Sequence, residues 1–352
     1  MKKLISVALL VCLVLSLVAC GGEKTPAVTE NEYKLGMGVV VSTASSKTGN
    51  AQVDATVATI VTDADGKIVA CRIDVAQNKM NVAEGAVEAE KTFKTKFELK
   101  EDYNMAKYGA PNVEGGTVKE WYVQAAAFEN YVVGKTAAEV AALETQTVNN
   151  HLISTDKALL DAGCTMQITD FMEAVDKAGK DDQAVSFKAK ADSFKLGVAA
   201  KTTVDAATKA ATADAEGLAA MYTDFAATVV GADGKILASL NDAIQPKIAI
   251  KADGSIGATT YAGTKRELKE GYNMAKFGAP NVEGGTVKEW YIQSAAFSAY
   301  VVGKTGAEVA AMETTVVNNH YISTDKALLD AGCTMQITGI CAVVAESVNY
   351  AR

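Results

Sequence analysis

Apolar positions along the chain follow a strand-like spacing first and a helical one afterwards, and the whole succession then runs a second time. Leu35–Ser42 and Ala51–Thr62 are rich in Val, Thr and Ile with partial alternation, and Asp65-Gly66 separates the second run from Lys67–Val75. Asp-Gly between such runs predicts a hairpin. Asn78–Ala89 is ambiguous, with a further strand pair around Gly85 as one reading. Phe97–Lys107 has room for a short helix, and Gly109–Gly116, with Pro111 and three glycines, reads as a loop. Thr117-x-x-Glu120 has the form of a capping box. It precedes an apolar helix face of Val118, Trp121, Tyr122, Ala125, Phe128 and Val132 that Gly134 can end. Thr136-x-x-Glu139 opens a second helix through Leu143, the polar Thr145–His151 stretch interrupts, and Ser154–Leu160 supplies a helical turn. A tight turn at Gly163 then leads to a last helix through Ala178, capped by Thr169 or Asp170.

Tyr103–Thr169 returns 169 positions later as Tyr272–Thr338, and Ile153–Thr169 is identical to Ile322–Thr338. A period this long predicts two globular units in tandem rather than a solenoid. The expected fold class is α+β: two homologous domains, 33–178 and 193–352, each an antiparallel sheet followed by helices packed on it, joined by a charged linker over 179–192. The front halves have drifted, and Thr203–Gly217, an Ala/Thr/Asp segment, reads as an insertion in the second copy.

Charge narrows the partners. The 34 Lys+Arg against 42 Asp+Glu leave −8, with no long basic cluster, so a phosphate backbone is repelled and nucleic acid is not an expected partner. Lys2 and Lys3 precede an apolar run, Leu4–Leu17, that is short for a membrane span. It ends in Leu17-Val18-Ala19-Cys20-Gly21-Gly22, which resembles a bacterial lipoprotein signal with its lipobox. That resemblance implies removal of residues 1–19, lipid (diacylglycerol, palmitate) on Cys20, a tether over 20–32, and a site of action on the outer face of the cell membrane. Of the remaining cysteines, Cys71, Cys164, Cys333 and Cys341, only Cys164 and Cys333 are repeat equivalents, and no CxxC occurs; buried free thiols are the expectation.

The turn Ala162-Gly163-Cys164-Thr165, with its copy Ala331-Gly332-Cys333-Thr334, places a glycine and a hydroxyl ahead of a helix N-terminus, a combination suited to a phosphate. Followed by Met166-Gln167-Ile168-Thr169 and Phe171-Met172-Glu173-Ala174-Val175, it resembles the tail of bacterial FMN-binding domains, such as the flavin subunits of the Rnf and sodium-pumping quinone reductase complexes. Those domains carry Asp-x-x-Ser/Thr-Gly-Ala-Thr, whose threonine a flavin transferase links to FMN. Gly and Thr are kept here, while Leu159, Ala162 and Cys164 stand at the Asp, Ser/Thr and Ala positions, which tells against covalent attachment at Thr165 and Thr334. The resemblance implies FMN at Gly163, Cys164, Thr165, Gly332, Cys333 and Thr334. It also implies a lipid-anchored electron carrier between a membrane donor and an external acceptor, rather than a turnover enzyme. A rival string, Asp253-Gly254-Ser255-Ile256-Gly257-Ala258-Thr259, keeps more of the motif but precedes no terminal helix; a β-turn is the simpler reading, with Thr259 as the rival attachment point.

Trp121 and Trp290 are expected in the core, and His151 and His320, one per repeat, as exposed loop residues with no metal site. Neither Ser-His-Asp order nor HExxH occurs. The alternative function is a non-redox ligand-binding or structural surface lipoprotein on a degenerate FMN-binding fold.

Overall fold

The computed structural model describes residues 30–89 and 92–352. The expected signal peptide, Cys20 and nearly all of the tether lie outside them. Among the described residues no helix is long and apolar enough to cross a membrane.

Repeat one opens with β1 (Asn31–Ser42), β2 (Asn50–Thr62), β3 (Ile68–Ala83) and β4 (Ala86–Ala89), an antiparallel meander. Gly66 takes φ +75° in the Asp65-Gly66 turn. Glu84 and Gly85, at +49° and +79°, turn β3 into β4, so Asn78–Ala89 is the strand pair around Gly85. The short helices α1 (Lys96–Leu99) and α2 (Met105–Tyr108) follow, joined by a 3-10 turn over Lys100–Tyr103. After an irregular stretch come α3 (Trp121–Tyr131), α4 (Ala137–Ala141), β5 (Thr145–Val148), β6 (His151–Ser154), α5 (Lys157–Ala162) and α6 (Thr169–Gly179).

Three local expectations fail for identifiable reasons. Thr117 does not cap a helix, because the Glu120 carboxylate accepts instead from the amides of Met105 (2.9 Å) and Ala106 (3.2 Å), and α3 begins at Trp121 with no side-chain cap. The polar Thr145–His151 stretch is a hairpin, since Asn149 and Asn150 at φ +49° and +63° form the turn that joins β5 to β6. Neither Thr169 nor Asp170 caps α6; Ile168 occupies that position.

The charged segment expected to link two domains contains β7 (Val185–Ala189), which pairs with β1 to give the sheet order β4-β3-β2-β1-β7. Repeat two continues with β8 (Phe194–Val204), β9 (Gly217–Gly231), β10 (Ile236–Ile244), β11 (Lys247–Ile250) and β12 (Ile256–Thr260). Pro246, lacking an N–H, splits the counterpart of β3 into β10 and β11, both paired to β9. Then come α7 (Lys265–Leu268), α8 (Met274–Phe277), α9 (Trp290–Tyr300), α10 (Gly306–Ala310), β13 (Thr314–Val317), β14 (His320–Ser323), α11 (Lys326–Ala331) and α12 (Thr338–Asn349).

The two sheets pack face to face. Leu35, Met37, Val39 and Val57 of the first meet Leu196, Val198, Met221 and Phe225 of the second in one buried core, while the opposite faces carry α3 and α6 on sheet one and α9 and α12 on sheet two. The order of layers is helices, sheet, sheet, helices. Each sheet is therefore covered on both sides, which explains why β2 and β9 read as nearly unbroken apolar runs. Each repeat has a core of its own beneath its helices, and the central core between the sheets is shared by both.

Glycines set the helix approach. A Cβ at Gly36 or Gly38 would run into the carbonyls of Ala178 and Ala174 on α6, and one at Gly197, the counterpart of Gly36, into the Ser347 carbonyl on α12. The Leu-Gly pairs that open β1 and β8 are thus the contact points of the terminal helices.

Candidate functional site

Between the helix side of sheet one and the segment from α1 to the start of α3 lies a cavity of about 530 Å³. Thr56, Val75 and Gln77 form its floor, Trp121, Phe171 and Tyr103 its aromatic wall, and Lys96, Asp54, Asp170, Gln124 and Thr165 are among its other polar lining residues. Trp121 and Phe171 meet edge to face at 5.9 Å, which sets the angle of that wall.

Local chemistry aims these groups. Thr95 and Glu98 form a reciprocal capping box around α1 (3.2 and 2.7 Å). The buried Asp74 carboxylate beneath accepts from the amides of Val75 (2.7 Å) and Phe97 (3.1 Å), pinning α1 to β3. Burial pushes Asp74 up to about 7, opposed by hydrogen bonds from Thr95 and those two amides. With α1 so held, Lys96 stands 5.0 Å over the Tyr103 ring and 5.8 Å over Trp121. Repeat two builds the same anchor from Thr264, Glu267 and Asp242, which burial raises to about 6.

The structure separates the residues of the Gly-Cys-Thr turn. Gly163, at φ +99°, makes the bend, and a side chain there would strike the Lys119 ammonium. Cys164 is fully buried, its thiol pushed up to about 12 by burial, and belongs to the core. Thr165 alone reaches the cavity. Its amide donates to Gln124 Oε1 (2.9 Å), its hydroxyl lies 3.4 Å from the same oxygen, and its carbonyl accepts from Asn112 (3.0 Å). Asn112 ties the glycine loop 109–116 over the turn, and Gly109, Ala110 and Asn112 border the cavity. Gly332, Cys333 and Thr334 repeat the arrangement, with Gln293 at 2.9 Å and Asn281 at 3.0 Å from Thr334.

Thr259 is exposed on the edge strand β12, beside Thr43 (3.3 Å), and is not brought to the cavity. Its motif is the turn around Gly254, φ +78°, which Asp253 closes by accepting from Ser255. His151 and His320 are exposed as expected but open strands β6 and β14 rather than lying in loops, and His151 borders the cavity. Trp121 and Trp290 are buried as expected, Trp121 also forming cavity wall. Cys71, Cys164, Cys333 and Cys341 are buried free thiols. Among the described residues no three His, Cys, Asp or Glu side chains gather as a metal site requires.

Sequence reasoning missed Asp54, Lys96, Gln124 and Asp170. The signal was available in the register of the two repeats. Asp74 and Asp242 are equivalent, and they pair with Val57 and Phe225, so Thr56 matches Asp224 and Asp54 matches Tyr222. The conserved back halves supply Lys96 and Lys265, Tyr103 and Tyr272, Trp121 and Trp290, but Asp170 and Phe171 become Gly339 and Ile340. Where repeat one has a cavity, Tyr222 stands over Lys265, its ring 4.4 Å from the ammonium and its hydroxyl accepting at 2.9 Å. Tyr272 (4.6 Å) and Trp290 (5.3 Å) complete a cage that leaves Lys265 5% exposed. Burial raises Asp224 and lowers Lys265, each opposed by the other's charge. A side chain at Gly339 would collide with Asp224. Repeat two is filled where repeat one is open.

No family model, curated protein or solved structure matches the chain.

Proposed function

We propose that this is a lipid-anchored binding protein of the cell envelope with one flavin-class site, the cavity of repeat one, through which it carries electrons between a membrane donor and an external acceptor. The observation that carries the reading is the cavity itself, which borders Thr165, has an aromatic wall and lies within the range of small-molecule sites. Tyr103 offers a part-buried ring to a planar ligand, Trp121, 3% exposed, closes the wall behind it, and Lys96, Gln77 and Thr56 offer polar contacts for the ligand's edge. Bound flavin would supply the redox chemistry, while these side chains bind it, orient it and shield it from water.

The fit to the phosphate of FMN is poorer. Asp54 and Asp170 line the same cavity, and burial together with the Asp54 charge raises Asp170, a sign that negative charge is already crowded there. Thr165 N–H is spent on Gln124. The non-covalent isoalloxazine is therefore favoured over a phosphoester at Thr165, and neutral riboflavin over FMN. Repeat two contributes no second carrier site, because Tyr222 occupies it.

The test is a titration of the mature protein with riboflavin and FMN, read by visible absorption and by tryptophan emission in Trp290→Phe, where only Trp121 reports. Quenching at one equivalent, tighter for riboflavin, is expected; a colourless protein that takes up neither removes the flavin reading. The acidic lining also favours a non-redox reading, binding of a neutral or cationic aromatic. A thermal-shift screen separates that outcome, because any ligand of the native state raises the melting temperature.

A further inference from the structure

The filled pocket of repeat two resembles a bound state of the open one. At one point of the same framework the chain places Tyr222 on β9 or Asp54 on β2. With tyrosine there, an aromatic ring lies against the lysine and its oxygen accepts a hydrogen bond from the ammonium at 2.9 Å. With aspartate there, Lys96 keeps its two ring neighbours, Tyr103 and Trp121, and lacks the third ring and the oxygen. Asp54 does not replace them, being held by Gln52 Nε2 at 2.9 Å. A second pair shows the same difference: Tyr272 donates to Gln245 at 2.9 Å, whereas their counterparts Tyr103 and Gln77 face the cavity.

We propose that the repeat-one cavity takes a neutral aromatic ligand with an oxygen acceptor on the ring, a phenol or ring carbonyl, seated on Lys96 between Tyr103 and Trp121 as Tyr222 is seated in repeat two. This rests on the reading of that cavity as a ligand site. An ammonium on a part-buried lysine, bordered by ring faces, gains from a π-face and from an acceptor together. The neighbouring carboxylates Asp54 and Asp170 select against an anionic ring substituent, since like charges in a partly buried site repel strongly. An isoalloxazine carbonyl meets the same description, and so does a simple phenol.

The test uses 4-methylphenol, the tyrosine side chain itself, against toluene and riboflavin, each titrated into the wild-type protein, Lys96→Met, Asp54→Tyr and Tyr222→Ala. Wild type is expected to bind 4-methylphenol at least tenfold more tightly than toluene, and Lys96→Met to bring the two within about threefold. Asp54→Tyr should lose the phenol site and melt higher. Tyr222→Ala should bind a second equivalent of 4-methylphenol and recover part of its lost melting temperature; it decides the matter if Asp54→Tyr does not fold. Equal binding of phenol and toluene by wild type, or an undiminished phenol site in folded Asp54→Tyr, overturns the inference. Riboflavin binding without phenol binding overturns it if Lys96→Met leaves that binding undiminished, while leaving the flavin reading intact; riboflavin binding lost in Lys96→Met supports the ring-carbonyl form of it. Phenol binding without riboflavin supports it and removes that reading, and binding of neither overturns both.

Discussion

Arg352 tests whether the repeats form one cooperative unit. From repeat two it reaches Glu129 on α3 of repeat one, its Nη2 at 2.8 Å from both carboxylate oxygens. Glu129 is 2% exposed, and its other partners are the Ile73 amide at 2.8 Å and the Arg72 guanidinium at 3.6 Å; Arg72 also donates to the Arg352 carbonyl. Burial raises Glu129 while Arg352 and then Arg72 oppose that rise. Removing one partner of a buried ion pair costs about 3–5 kcal/mol. Arg352 is 34% exposed and Arg72 remains, so we expect roughly 2 kcal/mol for Arg352→Ala, discounted for solvent screening. Repeat two shows the uncharged solution, Ser298 at the Glu129 position accepting from Asn241 at 2.8 Å. Glu129→Ser should therefore make Arg352→Ala nearly neutral, a coupling of about 1.5 kcal/mol or more in a double-mutant cycle. Urea unfolding would be followed by Trp121 or Trp290 emission in Trp290→Phe and Trp121→Phe backgrounds. Both probes should report one midpoint, shifted equally by Arg352→Ala. Separate midpoints, or an Arg352→Ala effect below about 0.5 kcal/mol, would refute the fused-core account.

Other consequences are open to direct measurement. Asp74 is raised in the folded state to about 7, so the folded protein holds an extra proton from about pH 4 to 7. Its stabilising contribution, complete below the unfolded value, falls as pH rises through that window. Asp74→Asn should flatten this dependence, exceeding wild type at pH 8 by at most about 4 kcal/mol and matching it near pH 4; a pH-independent difference would contradict the assignment. Gly38→Ala forces a methyl into the Ala174 carbonyl of α6 and should cost about 2–3 kcal/mol in urea melts, whereas Gly271→Ala, with open space around it, should be near neutral. Cys164 and Cys333, both raised to about 12 by burial, should react with a thiol reagent only as fast as the protein unfolds.

The hairpin at Asp65-Gly66, the capping box at Thr136 and the αL turn at Gly163 could be read directly from the chain, because each is a few adjacent residues whose backbone preference outweighs their surroundings. Glu120 could not. It has the spacing of a capping partner for Thr117, yet the amides at the start of α2 compete for its carboxylate and win.

The repeat and its antiparallel strands followed by helices were determined by the sequence alone, since periodicity and turn chemistry act over neighbouring residues. Only the tertiary structure decided that the two sheets share a core, that a supposed linker is strand β7, and that one pocket is open while the other is filled. Those outcomes depend on which side chains meet across the fold. Whether position 54 or 222 holds a carboxylate or a phenol matters only once β2 or β9 has carried it beneath a lysine more than forty residues further along the chain.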